Sequence, residues 1–365
     1  MAKLAKVGSF CPNPACSDYE QLDGRIIRYG RTRAGVQRFK CLSCGRTFTA
    51  TRGTIFYRRR TEDAEIVECL ALLAEGSRIS SVSRVKGHKE DTVAAWLTEA
   101  AEHVEAVENV LLSEFRISRG QLDGLWSYVK NKGEKKGHAE TEASGQFFRS
   151  TMMDMDSRLR AGRGFGKSET EASAAVFRQL KERGHSDGPP PTVSDGWGGI
   201  REAMLEIFGK VPEYSGKGRP PSKKRPQPGW KYLQIIKQRD EKGNFLGTRR
   251  KAVHGSMREL DKIFGKSTAY IERSHLTMRT FSSRLTRKGI AFSKSIDMHK
   301  AAAALEDMYY NFIKPLKTLR LNADENSGLK WLPRTPAMAA GLTDHIWTLK
   351  EVFSMVVIEK QHSTG

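Results

Sequence analysis

The spacing of hydrophobic and polar residues changes along the chain and divides it into segments with different structures. Between residues 61 and 112, apolar residues recur every three or four positions, which is the period of an amphipathic helix. From about residue 113, apolar and alternating runs predict strands interrupted by helices. The helical period returns over residues 298–312. The pattern therefore predicts a multidomain α+β protein.

Three amphipathic helices are predicted between residues 61 and 112. The first two end at Gly76 and Gly87, and glycine is common just beyond a helix C-terminus. The third is the most regular, with a continuous apolar stripe: Val93, Trp96, Leu97, Ala100, Ala101 and Val104. Three short helices with a glycine turn before the third predict a helix-turn-helix DNA-binding domain over residues 58–112. Its third helix has an acidic exposed face, so a three-helix linker domain is the alternative.

The central segment has the order of three strands, a helix, a fourth strand and a second helix. The residues concerned are 121–130, 145–156, 157–163, 168–183, 192–195 and 199–208. This is the element order of a ribonuclease-H-like α/β fold, which we predict for a catalytic domain over residues 113–320. In that architecture, the acids of the first and fourth strands meet at one edge of the sheet. A further hairpin near residues 230–254 is expected as an insertion over about 212–255.

Two aspartates lie where that fold would bring acids together. Asp123 lies within an apolar strand, where a carboxylate is costly to bury unless it is paired or binds a metal. Asp195 ends the short fourth strand and precedes Gly196. Each could instead serve a turn, because Asp-Gly is a common turn signal. Asp154 and Asp156 are the competing strand acids.

A strongly basic segment over residues 268–295 contains Glu272 in a predicted helix. On a helix, Glu272 and Arg279 lie seven residues apart, two turns along one face. The carboxylate can hold a divalent metal and the guanidinium can hold a phosphate. The alternative is a solvated helix with an internal Glu–Arg pair. The other cations of this segment that we expect to contact DNA are Arg273, Arg284, Arg287 and Lys288.

Four of the five cysteines form two close pairs near the N-terminus. Cys11 and Cys16 have the spacing C-x4-C, and Cys41 and Cys44 have the spacing C-x2-C. Two such pairs can supply four thiolates to a tetrahedral Zn²⁺, and four protein ligands make such a site structural. We therefore predict a zinc ribbon over residues 1–57. Chance clustering of reduced cysteines is the alternative.

The composition indicates a polyanionic partner. The 365 residues include 62 Lys and Arg against 42 Asp and Glu, which gives a formal net charge of +20. Neutralising phosphates releases counterions and supplies most non-specific affinity for DNA. The chain has no apolar run of about eighteen residues and no signal-peptide core. We therefore expect a cytoplasmic, nucleoid-associated protein that makes no membrane contact.

Together these motifs resemble those of the DDE transposases of bacterial insertion sequences, in particular the insertion-sequence-one type and its zinc-ribbon-bearing relatives. The resemblance covers roughly residues 11–320. It is carried by QLDGLWSYV at 121–129, SDGW at 194–197 and, above all, IERSHLTMR at 271–279. In that family the first acid is often followed by Glu, whereas Gly124 follows it here.

The resemblance implies that Asp123, Asp195 and Glu272 are catalytic carboxylates that bind Mg²⁺ or Mn²⁺. Two such ions, about 3.5–4 Å apart, would clamp the attacking and leaving oxygens of a displacement at phosphorus. Water would cut the element end, and the resulting 3′-hydroxyl would attack target DNA, with Arg279 holding the backbone near the cut. The implied partners are double-stranded element ends and target DNA. Joining two ends needs two active sites, so a homodimer or larger assembly is expected.

Two other functions are compatible with the same residues. A non-catalytic zinc-ribbon and helix-turn-helix regulator would bind DNA without reacting with it. A ribonuclease-H-like nuclease would cut strands without joining them. The three acids and Arg279 favour catalysis, because binding alone does not need them. Residues 321–365 are expected to form a C-terminal appendage.

Overall fold

The computed structural model describes residues 2–19, 21–22, 24–214, 216, 219–265, 268–286, 290–323 and 328–358. It is a mixed α+β structure, as predicted, and divides into two compact units. The first unit comprises Met1–Leu111, Ala301–Tyr309 and Trp347–Gly365, and the second comprises Leu112–Lys300 and Tyr310–Ile346. The segment from Trp347 thus groups with the N-terminal residues.

A small antiparallel sheet supports the cysteines of the first unit. Strand β1 (Lys3–Lys6) precedes it, and its own strands are β2 (Ile26–Arg31), β3 (Gln37–Cys41) and β4 (Thr47–Thr49). Phe39 and Phe48 are directly opposed across β3 and β4, with ring centroids 5.7 Å apart. The turn between these strands holds Gly45 at a φ of 69°, a left-handed conformation that glycine adopts without strain.

The three predicted helices are present as α1 (Asp63–Ala74), α2 (Ile79–Lys86) and α3 (Glu90–Leu111). All six residues of the predicted apolar stripe on α3 are buried. Gly87 forms the left-handed C-cap of α2 at a φ of 75°. Helical periodicity and glycine position therefore predicted these elements correctly.

A six-stranded mixed sheet forms the centre of the second unit. Its strands in chain order are β5 (Gly120–Val129), β6 (Gly145–Asp154), β7 (Arg160–Gly166), β8 (Thr192–Ser194), β9 (Tyr232–Arg239) and β10 (Phe245–His254). The spatial order is β10-β9-β8-β5-β6-β7. Strand β8 runs parallel to β5 and β9, and the other pairs are antiparallel. Helices α4 (Glu169–Arg183) and α5 (Gly199–Phe208) flank β8 in the chain.

The hairpin that we expected as an insertion belongs to this sheet. Strand β9 pairs in parallel with β8, with Val193 opposite Leu233. The first four residues of β9 are all buried, as expected of a strand covered on both faces. Leu233 and Ile235 pack with Val193 in one core cluster. The predicted hairpin is therefore present, but its first strand, β9, is an internal strand of the central sheet and not part of an insertion.

The remaining elements are short except for two helices. They are α6 (Met257–Ile263), α7 (Ala269–Phe281), α8 (Ile296–Met308), β11 (Leu321–Asn322), β12 (Trp331–Leu332), α9 (Pro336–Ala339), α10 (Leu349–Ser354) and β13 (Met355–Ile358). Strand β13 pairs antiparallel with β1, so the two ends of the described chain lie together in the first unit. No helix within the described ranges combines the length and apolar character needed to cross a membrane.

Candidate active site and zinc centre

Four cysteine thiols form a compact cluster in the first unit. Cys11 Sγ lies 3.6 Å from Cys44 Sγ, and Cys16 Sγ lies 3.7 Å from Cys41 Sγ. All four sulfurs lie within 4.8 Å of one another. Sulfurs about 2.3 Å from a shared tetrahedral Zn²⁺ lie about 3.8 Å apart, whereas a disulfide requires about 2.05 Å. The observed spacing therefore fits a zinc tetrahedron.

The surroundings of the sulfurs suit thiolate ligands. A hydrogen bond from the Arg46 backbone lowers the pKa of Cys44 to about 6. The backbone N–H of Asp18 donates to Cys16 Sγ at 3.4 Å. Burial raises the pKa of Cys11, so that thiolate needs a neighbouring positive charge such as a metal ion. The residues fit a structural Zn²⁺, whose charge would stabilise the thiolates and whose bonds would tie the two cysteine pairs together.

An open cleft of about 710 Å³ lies beside the central sheet of the second unit. Four carboxylates and two cations line it: Asp123, Glu169, Asp195, Glu272, Lys237 and Arg279. The four acids come from β5, the start of α4, the residue after β8, and α7. The fold thus brings the three acids singled out from the sequence into one cleft, together with a fourth.

Three of these carboxylates are close enough to share a cation. One oxygen from each of Asp123, Glu169 and Asp195 lies within 4.8 Å of the others. Burial and the charge of Asp195 raise the pKa of Asp123 to about 7. Burial and Asp195 also raise the pKa of Glu169 to about 7. A divalent cation relieves such repulsion, and carboxylate oxygens are the ligands that Mg²⁺ and Mn²⁺ prefer.

Sequence reasoning missed Glu169. It is the first residue of α4, whose N-cap Ser168 accepts a hydrogen bond from the backbone of Glu171 at 3.1 Å. An acid in the first turn of a helix is common because it complements the helix dipole. From the sequence, Glu169 is therefore indistinguishable from an ordinary helix start. No sequence pattern links Glu169 to Gly124, whose missing side chain borders the Glu169 carboxylate in the fold.

Helix α7 places Glu272 and Arg279 in the same cleft, as their spacing on a helix predicted. The helix is fixed to β5 where the Ile271 backbone N–H donates to Gln121 Oε1 at 2.8 Å. Glu272 Oε1 accepts hydrogen bonds from Lys237 Nζ at 2.6 Å and from Thr268 Oγ1 at 3.0 Å. Glu272 is therefore bound to a cation from β9, while the other three acids lie close to one another.

A neutral histidine borders the first acid. His275 Nδ1 lies 3.4 Å from Asp123 Oδ2, and the side chain is almost fully buried. Burial and the nearby charge of Arg149 lower the pKa of His275 to about 3, so the ring is uncharged at neutral pH. In the described part of the chain, its Nε2 has no hydrogen-bond partner. The sequence analysis did not single out this residue.

The other cations expected to contact DNA lie in different surroundings. Arg273 is exposed and lines a second cavity of about 390 Å³, together with Arg158, Lys314 and Lys317. Arg284 Nη1 donates to Ser293 Oγ at 3.4 Å, and burial lowers the pKa of Arg284. Arg284 therefore has a protein partner inside the fold. Arg287 and Lys288 lie outside the described residues.

The arrangement of acids in the cleft is of the kind used by metal-dependent phosphoryl-transfer enzymes. The segment that contains Glu272 and Arg279 also matches a known protein family. Residues 241–310 match the family model described as IS1 transposase, which confirms the resemblance over this part of the chain. No curated protein matches the sequence.

Proposed function

We propose that this protein is a transposase that cuts DNA at the ends of its mobile element and joins the 3′-hydroxyl ends to target DNA. The observation that carries the proposal is the cleft itself. Asp123, Asp195 and Glu272 come from separate elements and line it together with Arg279. Two of these four residues lie in the segment that matches the IS1 transposase family.

The sheet topology supports a ribonuclease-H-like catalytic domain over residues 113–320. Antiparallel strands β5, β6 and β7 are followed by β8 and β9, which both run parallel to β5. Gln121 is opposite Val193 in the parallel pair β5–β8. Asp123 and Asp195 each follow two residues later, so the register brings their carboxylates to the same edge. This placement supports the proposed meeting of first-strand and fourth-strand acids in a ribonuclease-H-like domain.

The cleft residues have separate roles in the proposed reaction. Asp123, Asp195 and Glu272 would hold two Mg²⁺ or Mn²⁺ ions, whose charge would polarise the phosphate and activate the attacking oxygen. Arg279 would contact phosphate oxygens of the strand being cut. Neutral His275 would orient the Asp123 carboxylate without neutralising its negative charge. Both steps are displacements at phosphorus: water releases a 3′-hydroxyl, and that hydroxyl then forms a new phosphodiester as a target P–O bond breaks.

The first 112 residues are proposed to bind DNA. Residues 1–57 would do so as a zinc ribbon, and residues 58–112 as a helix-turn-helix domain. The small sheet carries an exposed aromatic ring, Tyr29, with Arg38 and Lys40 at 5.6 and 5.3 Å from its centroid. A cationic and aromatic face of this kind suits the DNA backbone. Double-stranded element ends and target DNA would be the partners, bound by a homodimer or larger assembly.

A strand-cleavage assay tests this function. Labelled duplexes carrying the gene's own flanking ends are incubated with Mg²⁺ and wild-type protein or Asp195→Asn. The matched control is Asp187→Asn, because Asp187 is exposed and pairs with Arg116 away from the cleft. Metal-dependent cutting and joining that is lost only in Asp195→Asn supports the proposal. Cutting without joining would indicate a nuclease, and binding without reaction would indicate a regulator.

A further inference from the structure

Gly124 directly follows Asp123 and borders the carboxylate of Glu169. A Cβ built at Gly124 would lie 2.8 Å from Cγ, Cδ and Oε1 of Glu169, so any larger residue at this position would force the Glu169 side chain to move. Gly124 lies within strand β5 and outside the left-handed backbone region, so its conformation does not require glycine. What the glycine provides here is room for the Glu169 side chain.

The start of α4 delivers Glu169 to this space. The carboxylate benefits from the positive end of the helix, but it also lies beside two further negative groups. The oxygens of Asp123, Glu169 and Asp195 lie within 4.8 Å of one another. Around an octahedral Mg²⁺ with bonds of about 2.1 Å, ligand oxygens are about 3.0 Å or about 4.2 Å apart. The three acids therefore need only small side-chain adjustments to bind one ion.

We propose that Glu169 is a ligand of the divalent cation site, which consists of Asp123, Glu169 and Asp195 with Glu272 as a fourth acid. Gly124 is the residue that admits Glu169 to the site. This inference rests on the proposed function, because it concerns the same cleft, and it changes the composition of the metal site. The buried His275 also lines this cleft, with its Nδ1 3.4 Å from Asp123 Oδ2.

Cation binding by the full chain tests the inference without requiring catalysis. Mn²⁺ is titrated into wild type, Glu169→Gln, Asp195→Asn and Glu182→Gln, and free Mn²⁺ is followed by electron paramagnetic resonance. Glu182 is the matched control because it lies on the same helix and is exposed. Glu169→Gln should weaken Mn²⁺ binding at least tenfold, as should Asp195→Asn, while Glu182→Gln should bind like the wild type.

The variants separate the two claims. If Asp195→Asn weakens Mn²⁺ binding and Glu169→Gln stays within twofold of the wild type, the inference is overturned and the proposed function stands. If neither variant changes the affinity, or the wild type binds no Mn²⁺ saturably, both the inference and the proposed metal site are overturned. Matching thermal unfolding midpoints establish that each variant is folded.

A double-mutant cycle tests the role of Gly124. Gly124→Ala should displace Glu169 and weaken Mn²⁺ binding about as much as Glu169→Ala does. In the Glu169→Ala background the space is empty, so adding Gly124→Ala should cause little further loss. Two losses that simply add would show that Gly124 acts independently of Glu169 and would contradict the inference.

Discussion

Lys237 Nζ lies 2.6 Å from Glu272 Oε1, joining strand β9 to helix α7 across the acidic cleft. The ion pair is 45% exposed on both sides, so solvent weakens it. It places a positive charge beside four carboxylates. Strand β9 therefore contributes to the site through Lys237, as well as to the sheet.

Replacing Lys237 should strengthen divalent cation binding. Lys237→Met removes a positive charge next to Glu272, and an exposed pair of this kind accounts for about a two- to fivefold change in affinity. Mn²⁺ titration of the full chain measures the effect. Lys251→Met is the control, since Lys251 is exposed on the neighbouring strand β10. Weaker Mn²⁺ binding by Lys237→Met would contradict this account of the ion pair.

Zinc should be bound by the four-cysteine cluster. Elemental analysis of purified protein should find about one Zn²⁺ per chain, because the sulfur spacing fits one tetrahedral ion. Cys41→Ser should lose the metal and lower the unfolding temperature. Cys69→Ala is the control, since Cys69 is buried on α1 outside the cluster. Wild-type protein without zinc, or Cys41→Ser with full zinc, would be inconsistent with a zinc ribbon.

Features set by residues close together in the chain were predicted correctly from the sequence, whereas strand pairing between distant segments was not. The apolar stripe of α3, the cysteine pairs and the Glu272–Arg279 spacing are local patterns, and each predicted an observed arrangement. The place of β9 was missed because 37 residues, Asp195 to Lys231, separate it from its parallel partner β8, and the length of a connection does not reveal which strands pair.

Two side chains show a further limit of sequence reasoning. Arg284 lies in a basic run typical of DNA contact, yet the fold turns its guanidinium towards Ser293. Glu169 looks like an ordinary first-turn acid, and only the fold brings it next to Gly124. In the family that the sequence resembles, Glu often follows the first acid, and the space that Glu169 occupies would explain the glycine at this position.

Acid should destabilise the protein partly through His299. This buried ring bonds Ser293 Oγ through Nδ1 at 2.8 Å, and burial followed by the charge of Arg149 lowers its pKa to about 3. The unfolded chain takes up the proton near pH 6.5 and the folded chain does not, so stability falls as pH drops below about 6.5. At pH 5.5 one such histidine costs about 1.4 kcal/mol.

Urea unfolding at pH 7.5 and pH 5.5 measures this contribution. The loss of unfolding free energy between the two pH values should be about 1.4 kcal/mol smaller in His299→Gln than in the wild type. His138→Gln is the control, because His138 is exposed. An equal loss in His299→Gln and wild type would show that the ring does not remain neutral in the fold.

Arg279 should contribute one phosphate contact to DNA binding. Arg279→Ala should reduce the slope of log affinity against log salt by about 0.9 on element-end duplexes, measured by fluorescence anisotropy. Arg178→Ala is the control, because Arg178 is exposed on α4 and lies 3.9 Å from Glu206. An unchanged salt slope in Arg279→Ala would remove Arg279 from the proposed DNA interface.

The central claim, that the cleft joins DNA strands, is tested most directly with pre-cut element ends. These duplexes already carry a free 3′-hydroxyl, so only the joining step to a target plasmid is measured, with Mg²⁺ present. Wild type and the control Glu241→Gln, at an exposed turn position, should give joined products. Glu272→Gln should reduce joining at least a hundredfold. Joining by Glu272→Gln at the wild-type rate, or none by folded, DNA-bound wild type, would contradict the account.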